Sequence, residues 1–193
     1  MNRADDLLLE WHHETMVDGP PANPSDVPGV YALAVAKRLG GPTAKHLVTP
    51  FYVGRTSGLR GRWSDHRRNW FTSPGPKYTI PTSADDFLSD PVAAINNDNL
   101  AKGLLDRKSI MAAVRQKTWF CYAEYDGCRL GEIETMLQEA VKVLWRITKQ
   151  GEIGDSGYRV MPRPGLCVRN ALPDNLAGLL PTRIKWVGAT VLS

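Results

Sequence analysis

Sulfur is scarce in this chain of 193 residues, and it comes unpaired: Cys121, Cys128 and Cys167 are odd in number and show no CxxC spacing. That pattern excludes a disulfide framework and a thiolate zinc site, and it leaves reduced, mostly buried thiols. Long hydrophobic runs are missing as well. The chain opens MNRADDLLLEWHHE, with Asp5 and Asp6 ahead of only three leucines, so the expectation is no signal peptide, no membrane span and a cytoplasmic setting. No internal repeat or low-complexity tract is present. Ser156-Gly157 and the other glycine dipeptides match neither a P-loop nor a dinucleotide fingerprint. His12-His13-Glu14 lacks both the i, i+4 histidine pair and a thiolate partner that a zinc site needs.

What is present is enough apolar sequence, 42%, for one globular core, so a single domain spanning 1–193 is expected. The net charge is only +4, but its distribution is uneven. Arg55, Arg60, Arg62, Arg67 and Arg68 lie close together with Asp65 as the only acid among them, a cluster suited either to a polyanion or to a solvated helix face.

Along the chain, Leu7, Leu8, Trp11 and Met16 have helical spacing, and the prolines of DGPPANPSDVP then break it, giving an N-terminal helix and linker over 1–27. GVYALAVAK and HLVTPFYVG, joined by the turn-rich LGGPTA, predict a β-hairpin whose second strand is an edge or carries a bulge at Pro50. Thr56 or Ser57 is a candidate N-cap for a helix from about 58 to 70. Residues 71–116 read as an insertion, rich in proline, serine and aspartate and then helical from about 93. KTWFCYAEY returns to strand composition, Cys128 to about Thr148 is a periodic helix, and 149–193 form a C-terminal extension with one short strand at TRIKWVGA.

The two core helices carry the informative polar residues. At about 100° per residue, Leu59, Arg62, Trp63, His66 and Trp70 share one face of the first helix. An arginine on such a face must be paired or must receive an anion, because an unpaired charge out of water is costly. In the second, Leu130, Ile133, Leu137, Val141 and Leu144 form the apolar stripe. Glu134 lies on its edge, roughly 60° from the centre, while Glu132 and Glu139 lie roughly 140° and 160° away. Glu134 is therefore either a rim carboxylate paired with an arginine or a metal ligand.

Gly29-Val30-Tyr31, Tyr52-Val53-Gly54 and the following YVGRTSGLRGRWSDH together resemble the signature of GIY-YIG nucleases, a family of homing, excision-repair and restriction endonucleases. The ten-residue step from Tyr52 to Arg62, with His66 a turn further on, is the most specific part of the match. The resemblance covers roughly Pro28 to Arg68 and Thr118 to Leu144, so 28–70 and 117–148 form the expected core. It implies an α/β fold with a small three-stranded sheet flanked by helices.

It also implies an activity: endonucleolytic hydrolysis of phosphodiester bonds in DNA, with RNA not excluded and the protein acting as a monomer or homodimer. Tyr31 and Tyr52 would project into the site, one of them helping to deprotonate the attacking water. Arg62 would hold the scissile phosphate, His66 would assist proton transfer or phosphate binding, and Glu134 would bind a divalent cation, usually magnesium. Arg55, Arg60, Arg67 and Arg68 are candidate phosphate contacts. Family members carry an asparagine about a dozen residues beyond the glutamate, where this chain has Trp145-Arg146-Ile147; Asn170 is the nearest candidate. A compact restriction or defence enzyme is the expected type, with a repair or mobile-element nuclease as the alternative, and an inactive nucleic-acid-binding module as the rival from another class. Asn96-Asn97-Asp98-Asn99 reads as a turn or cap with spare capacity for base contacts, and Trp119, Trp145 and Trp186 read as core or rim aromatics that could stack on a base if exposed.

Overall fold

The segment LLLEWHHET carries two periodicities at once. Leu7, Leu8 and Trp11 suit a helix, yet Leu7, Leu9 and Trp11 alternate with Leu8, Glu10 and His12 as a half-buried strand requires. In the computed structural model, which describes residues 6–17, 24–38, 46–72, 115–145, 159–187 and 190–192, alternation prevails. Asp6–Thr15 is strand β1, with Leu9 and Trp11 buried and Glu10 and His12 exposed. The expected N-terminal helix is thus incorrect. Its backbone groups are taken instead by two neighbours, Thr118–Glu124 (β4) on one side and Cys167–Ala171 (β5) on the other.

The expected small three-stranded sheet is corrected in the same way. Gly29–Arg38 (β2), His46–Thr56 (β3) and β4 do pair with one another, but they are one end of a seven-stranded mixed sheet of order β3-β2-β4-β1-β5-β6-β7. The strands β6, Arg183–Val187, and β7, Thr190–Leu192, complete the other end. All pairings are antiparallel except β1 with β5. The C-terminal extension is therefore an integral half of the sheet. The expected insertion lies outside the described residues over 73–114.

Helix α1, Leu59–Thr72, follows β3, and helix α2, Leu130–Leu144, follows β4. Helix α2 touches β2 and β3 at one end of the sheet and β6 and β7 at the other. A flat sheet with six gaps of about 4.8 Å is too wide for one helix to do this, so the sheet curls around α2. Ile133, Met136, Leu137, Ala140 and Val141 supply the helix side of the core, and Trp11, Val30, Ala32, Val53, Ile184 and Trp186 are buried with them.

The sheet also explains how the hairpin aims its tyrosines. β3 is the edge strand, and the register with β2 slips by one residue at Phe51, between the pairs Leu33↔Tyr52 and Ala34↔Pro50. Pro50 had suggested an edge or a bulge, and the structure has both. Beyond the bulge, Tyr52 and Gly54 face the same side as their partners Leu33 and Tyr31, which is the side opposite α2.

Candidate active site

Tyr31 and Tyr52 lie on that face with rings stacked at 5.9 Å between centroids. Tyr31 is fully buried, and its phenol shares a hydrogen bond of 2.9 Å with His66 Nε2, from the second turn of α1. Phe120 stacks on the far side of Tyr31 at 5.1 Å, and the ring of Tyr52 meets His66 edge-on at 5.7 Å. Gly54 is part of this construction, because a Cβ there would come within 2.6 Å of the Tyr31 hydroxyl. The turn into α1 is set locally: Gly58 N–H donates to Thr56 Oγ1 at 3.1 Å, and Arg62 N–H donates to Gly58 O at 3.0 Å, so Gly58 occupies the cap and Thr56 shapes the turn before it.

The second group lies around the N-terminal half of α2. Glu134 is buried, and Arg55 Nε sits 3.1 Å from its Oε2. Arg55 follows Gly54, so strand alternation turns it to the α2 side, away from the tyrosines. Burial pushes the Glu134 carboxyl above its ordinary pKa, and the guanidinium groups of Arg55 and Arg62 pull it back only in part. Arg62 stands one turn before His66 on α1, and its charge is the smallest of the influences on the Glu134 carboxyl. Its Nε–H is also the one buried side-chain polar atom among the described residues without a hydrogen-bond partner. A buried cationic donor with nothing to donate to is suited to an incoming anion.

The residues expected at this site are thus distributed as a tyrosine–histidine group on one face of the sheet, with Arg62 on the same helix as His66, and an arginine–carboxylate group on the α2 side, not as one ring of side chains. The sequence reading missed two participants. Arg55 had been given to nucleic-acid phosphates, whereas it holds Glu134. Tyr122, the sheet neighbour of Tyr31, was not singled out; burial, then Glu14 and Glu124, push its phenol up to about 12, so it stays protonated. The pairing of Tyr31 with a strand rich in aromatics, TWFCYAE, was the available signal.

The remaining candidates lie elsewhere. Arg60 is exposed and its Nε donates to the Pro24 carbonyl at 3.1 Å, and Arg67 lies over the Trp63 ring at 5.3 Å. The Arg68 side chain and the Asn96–Asn99 cluster fall outside the described residues. Asn170 is in β5, separated from β2 by β4 and β1, and it is buried with its amide engaged: Trp11 Nε1–H donates to Oδ1 at 2.9 Å, and Nδ2 donates to the Pro181 carbonyl at 2.8 Å. It ties β5 to Trp11 of β1 and to the chain at Pro181. Asn170→Ala should lower stability by about 1–3 kcal/mol, since it strands the buried Trp11 indole N–H and frees the half-buried Pro181 carbonyl, while the specific activity of the folded fraction is unchanged; urea unfolding and rates per folded molecule check both.

Glu132, placed on the solvent side by its helix angle, is buried as well: residues 159–163 cover it, and Arg163 N–H donates to its Oε2 at 2.9 Å. His12 and His13 face opposite sides of β1, against Tyr122 and Trp119 respectively, and no cluster of three metal-binding side chains occurs among the described residues. Trp186 is core, and the Trp145 indole N–H reaches the Leu179 carbonyl at 3.5 Å. No helix among the described residues is long and apolar enough to cross a membrane.

Comparison with protein-family models, curated proteins and solved structures finds no match.

Proposed function

We propose that this chain is a divalent-metal-dependent endonuclease that hydrolyses phosphodiester bonds in DNA. The observation that carries the reading is the unpartnered, buried Nε–H of Arg62, one turn before the histidine that pairs with Tyr31. A phosphate oxygen accepting from that donor would lie one turn of α1 from His66. Tyr52, half-buried where Tyr31 is fully buried, is the phenol with access to a water; with its own hydroxyl proton first released to solvent, the phenolate accepts the proton that the attacking water loses. Tyr31 positions His66 through its 2.9 Å hydrogen bond, and His66 gives a proton to the leaving oxygen of the broken ester bond.

The protein offers a cation one buried carboxylate, Glu134, and no group of three metal-binding side chains occurs among the described residues, so a hard cation held there would take its other ligands from water and phosphate. Bound to Glu134, such a cation would neutralise charge developing on the phosphate oxygens. Glu134 and Arg62 bind and orient; the phenols and the imidazole move protons.

A second reading is favoured by one observation, the occupation of Glu134 by Arg55: a nucleic-acid-binding module without catalysis. Purified protein incubated with plasmid, single-stranded DNA and RNA, in magnesium and in chelator, separates the two. The enzyme reading expects magnesium-dependent scission of DNA that Arg62→Ala and Glu134→Ala abolish; salt-sensitive binding without scission in magnesium, manganese or calcium would leave the module.

A further inference from the structure

We infer that the face of β5 and β6 turned away from α2 is a second contact surface for the phosphate backbone of DNA, carried by Arg169, Arg183 and Lys185. The inference rests on the reading of DNA as the substrate.

Strand alternation sorts this half of the sheet. Val168, Asn170, Ile184 and Trp186 are buried on the α2 side, so Arg169, Arg183 and Lys185 turn to the other side, where they are exposed. Tyr31 and Tyr52 occupy that same side at the far end of the sheet. Arg169 and Arg183 are direct partners across β5 and β6, and Lys185 is the next residue of β6 on this face, opposite Cys167. Like charges set directly opposite each other destabilise a sheet, so the fold gains nothing from such a pair.

The acids nearby do not cancel it. Asp6 Oδ2 lies 3.2 Å from Arg169 Nε, and the same carboxylate also acts on Arg183. With 53% of the Arg169 side chain and 38% of the Asp6 side chain exposed, this ion pair is weak enough for a phosphate to replace. Glu10, exposed on the same face of β1, lies opposite Ala171 and pairs with neither arginine. Beyond β5 the sheet ends in RIKWV and TVL, which hold no acid. The Nε–H of Arg183 donates to the Sγ of buried Cys167 at 3.1 Å, which steadies the side chain. Its two terminal nitrogens have no hydrogen-bond partner among the described residues, and Lys185 has no ion pair among them, so both cations are free to meet phosphate oxygens.

Tyr31 lies opposite Tyr122, Tyr122 opposite His12, and His12 is four residues along β1 from Leu8, the neighbour of Arg169. Three strand gaps of about 4.8 Å and four residues of about 3.3 Å put Arg169 about 20 Å from Tyr31, measured along the sheet. That is about six nucleotides of one strand of a duplex, so one substrate can engage both places. Such contacts supply affinity and register, not base sequence.

Lys185→Gln and the double variant Arg183→Gln/Lys185→Gln test this, with thermal midpoints showing whether each is folded. A fluorescent duplex of about 24 base pairs, long enough to span both places, is titrated in chelator over a series of salt concentrations. Each lost phosphate contact should lower the slope of log affinity against log salt by about 0.9 and weaken binding about eightfold at 0.1 M salt, so the double variant should lose about 50-fold. If the double variant does not fold, Lys185→Gln alone decides. Wild-type affinity and slope in the variants, with the duplex still bound by wild type, overturn the inference and leave the nuclease reading standing. Weakened binding in the variants, with no scission by wild type in magnesium, supports the surface and removes the catalysis. Failure of wild type to bind duplex, single-stranded DNA or RNA overturns both. Vesicles of phosphatidylserine and sedimentation of the free protein complete the set: a vesicle affinity or a dimer that the double variant loses, with duplex binding unchanged, overturns the inference and gives these cations to a membrane or to a second copy of the chain.

Discussion

Exchanging Arg62 for methionine should reduce the single-turnover rate of DNA scission by about 10²–10⁴-fold, the range for losing a preorganised charged donor, while the folded protein becomes no less stable. The second half of that expectation separates a catalytic arginine from a structural one. Arg62 lies on the core-facing stripe of α1 with Leu59, Trp63 and His66, and its Nε–H is buried without a partner. An unmet buried donor costs about 1–3 kcal/mol, so a methionine that fills the same space removes a penalty from the unliganded protein. Were the arginine there to hold the fold, rate and stability would fall together. Arg62→Lys is the sharper control, because it keeps the charge but not the planar fork that a phosphate accepts from two nitrogens. Rates on a defined duplex and thermal midpoints, taken on the same preparations, give the answer. Scission by Arg62→Met at the wild-type rate would remove the residue from the phosphate, and with it the support for the nuclease reading.

The elements that the sequence disclosed are those whose signals are local. The hairpin, α1 and α2 follow from alternation, from the turn-rich composition of LGGPTA and from 3.6-residue periodicity, and none of these needs knowledge of a distant segment. β1 defeated the same approach because Leu7, Leu8 and Trp11 satisfy a helix while Leu7, Leu9 and Trp11 satisfy a strand; the choice is made by β4 and β5, which lie far along the chain and accept its hydrogen bonds on both sides. Sheet size was hidden for a related reason. β5 and β6 span five residues each and β7 only three, too short to declare themselves by pattern, and they exist because the curled sheet closes around α2.

Of the candidate site, residue types were legible and partnerships were not. Tyr31, Tyr52, Arg62, His66 and Glu134 stand out by position within the hairpin and the helices, yet that Tyr31 meets His66, and that Glu134 meets Arg55 first, depends on which face each element turns to the others. Glu132 shows the limit of a single-helix argument. Its angle on α2 points to solvent, and the chain from Arg159 to Arg163 then comes across and buries it. Gly131 shows another: a glycine in a helix reads as a weakness until the guanidinium that occupies its missing side chain is known.

Glu134→Gln is expected to cost about 10²–10³-fold or more in scission rate and to raise the thermal midpoint at neutral pH. The sign follows from the balance of forces on the carboxyl. Burial raises its pKa, and Arg55 and Arg62 do not cancel the rise, so in the folded state the ionised form is less favourable than in the unfolded chain. A carboxyl whose folded pKa is raised stabilises the protein most below its unfolded value, and that contribution is lost as pH climbs through the folded one. Wild type therefore bears the penalty at neutral and higher pH, and glutamine, neutral throughout, does not. The gap in midpoint between variant and wild type should be widest at pH 7–8 and should close as the pH is lowered through the raised pKa, where wild-type Glu134 is protonated too. Arg55 does not reverse the sign, because with 32% of its side chain exposed it can turn to water once its partner is neutral. A lower midpoint for Glu134→Gln at every pH would instead make the pair with Arg55 a net structural bond, and a carboxylate kept for stability needs no metal to account for it.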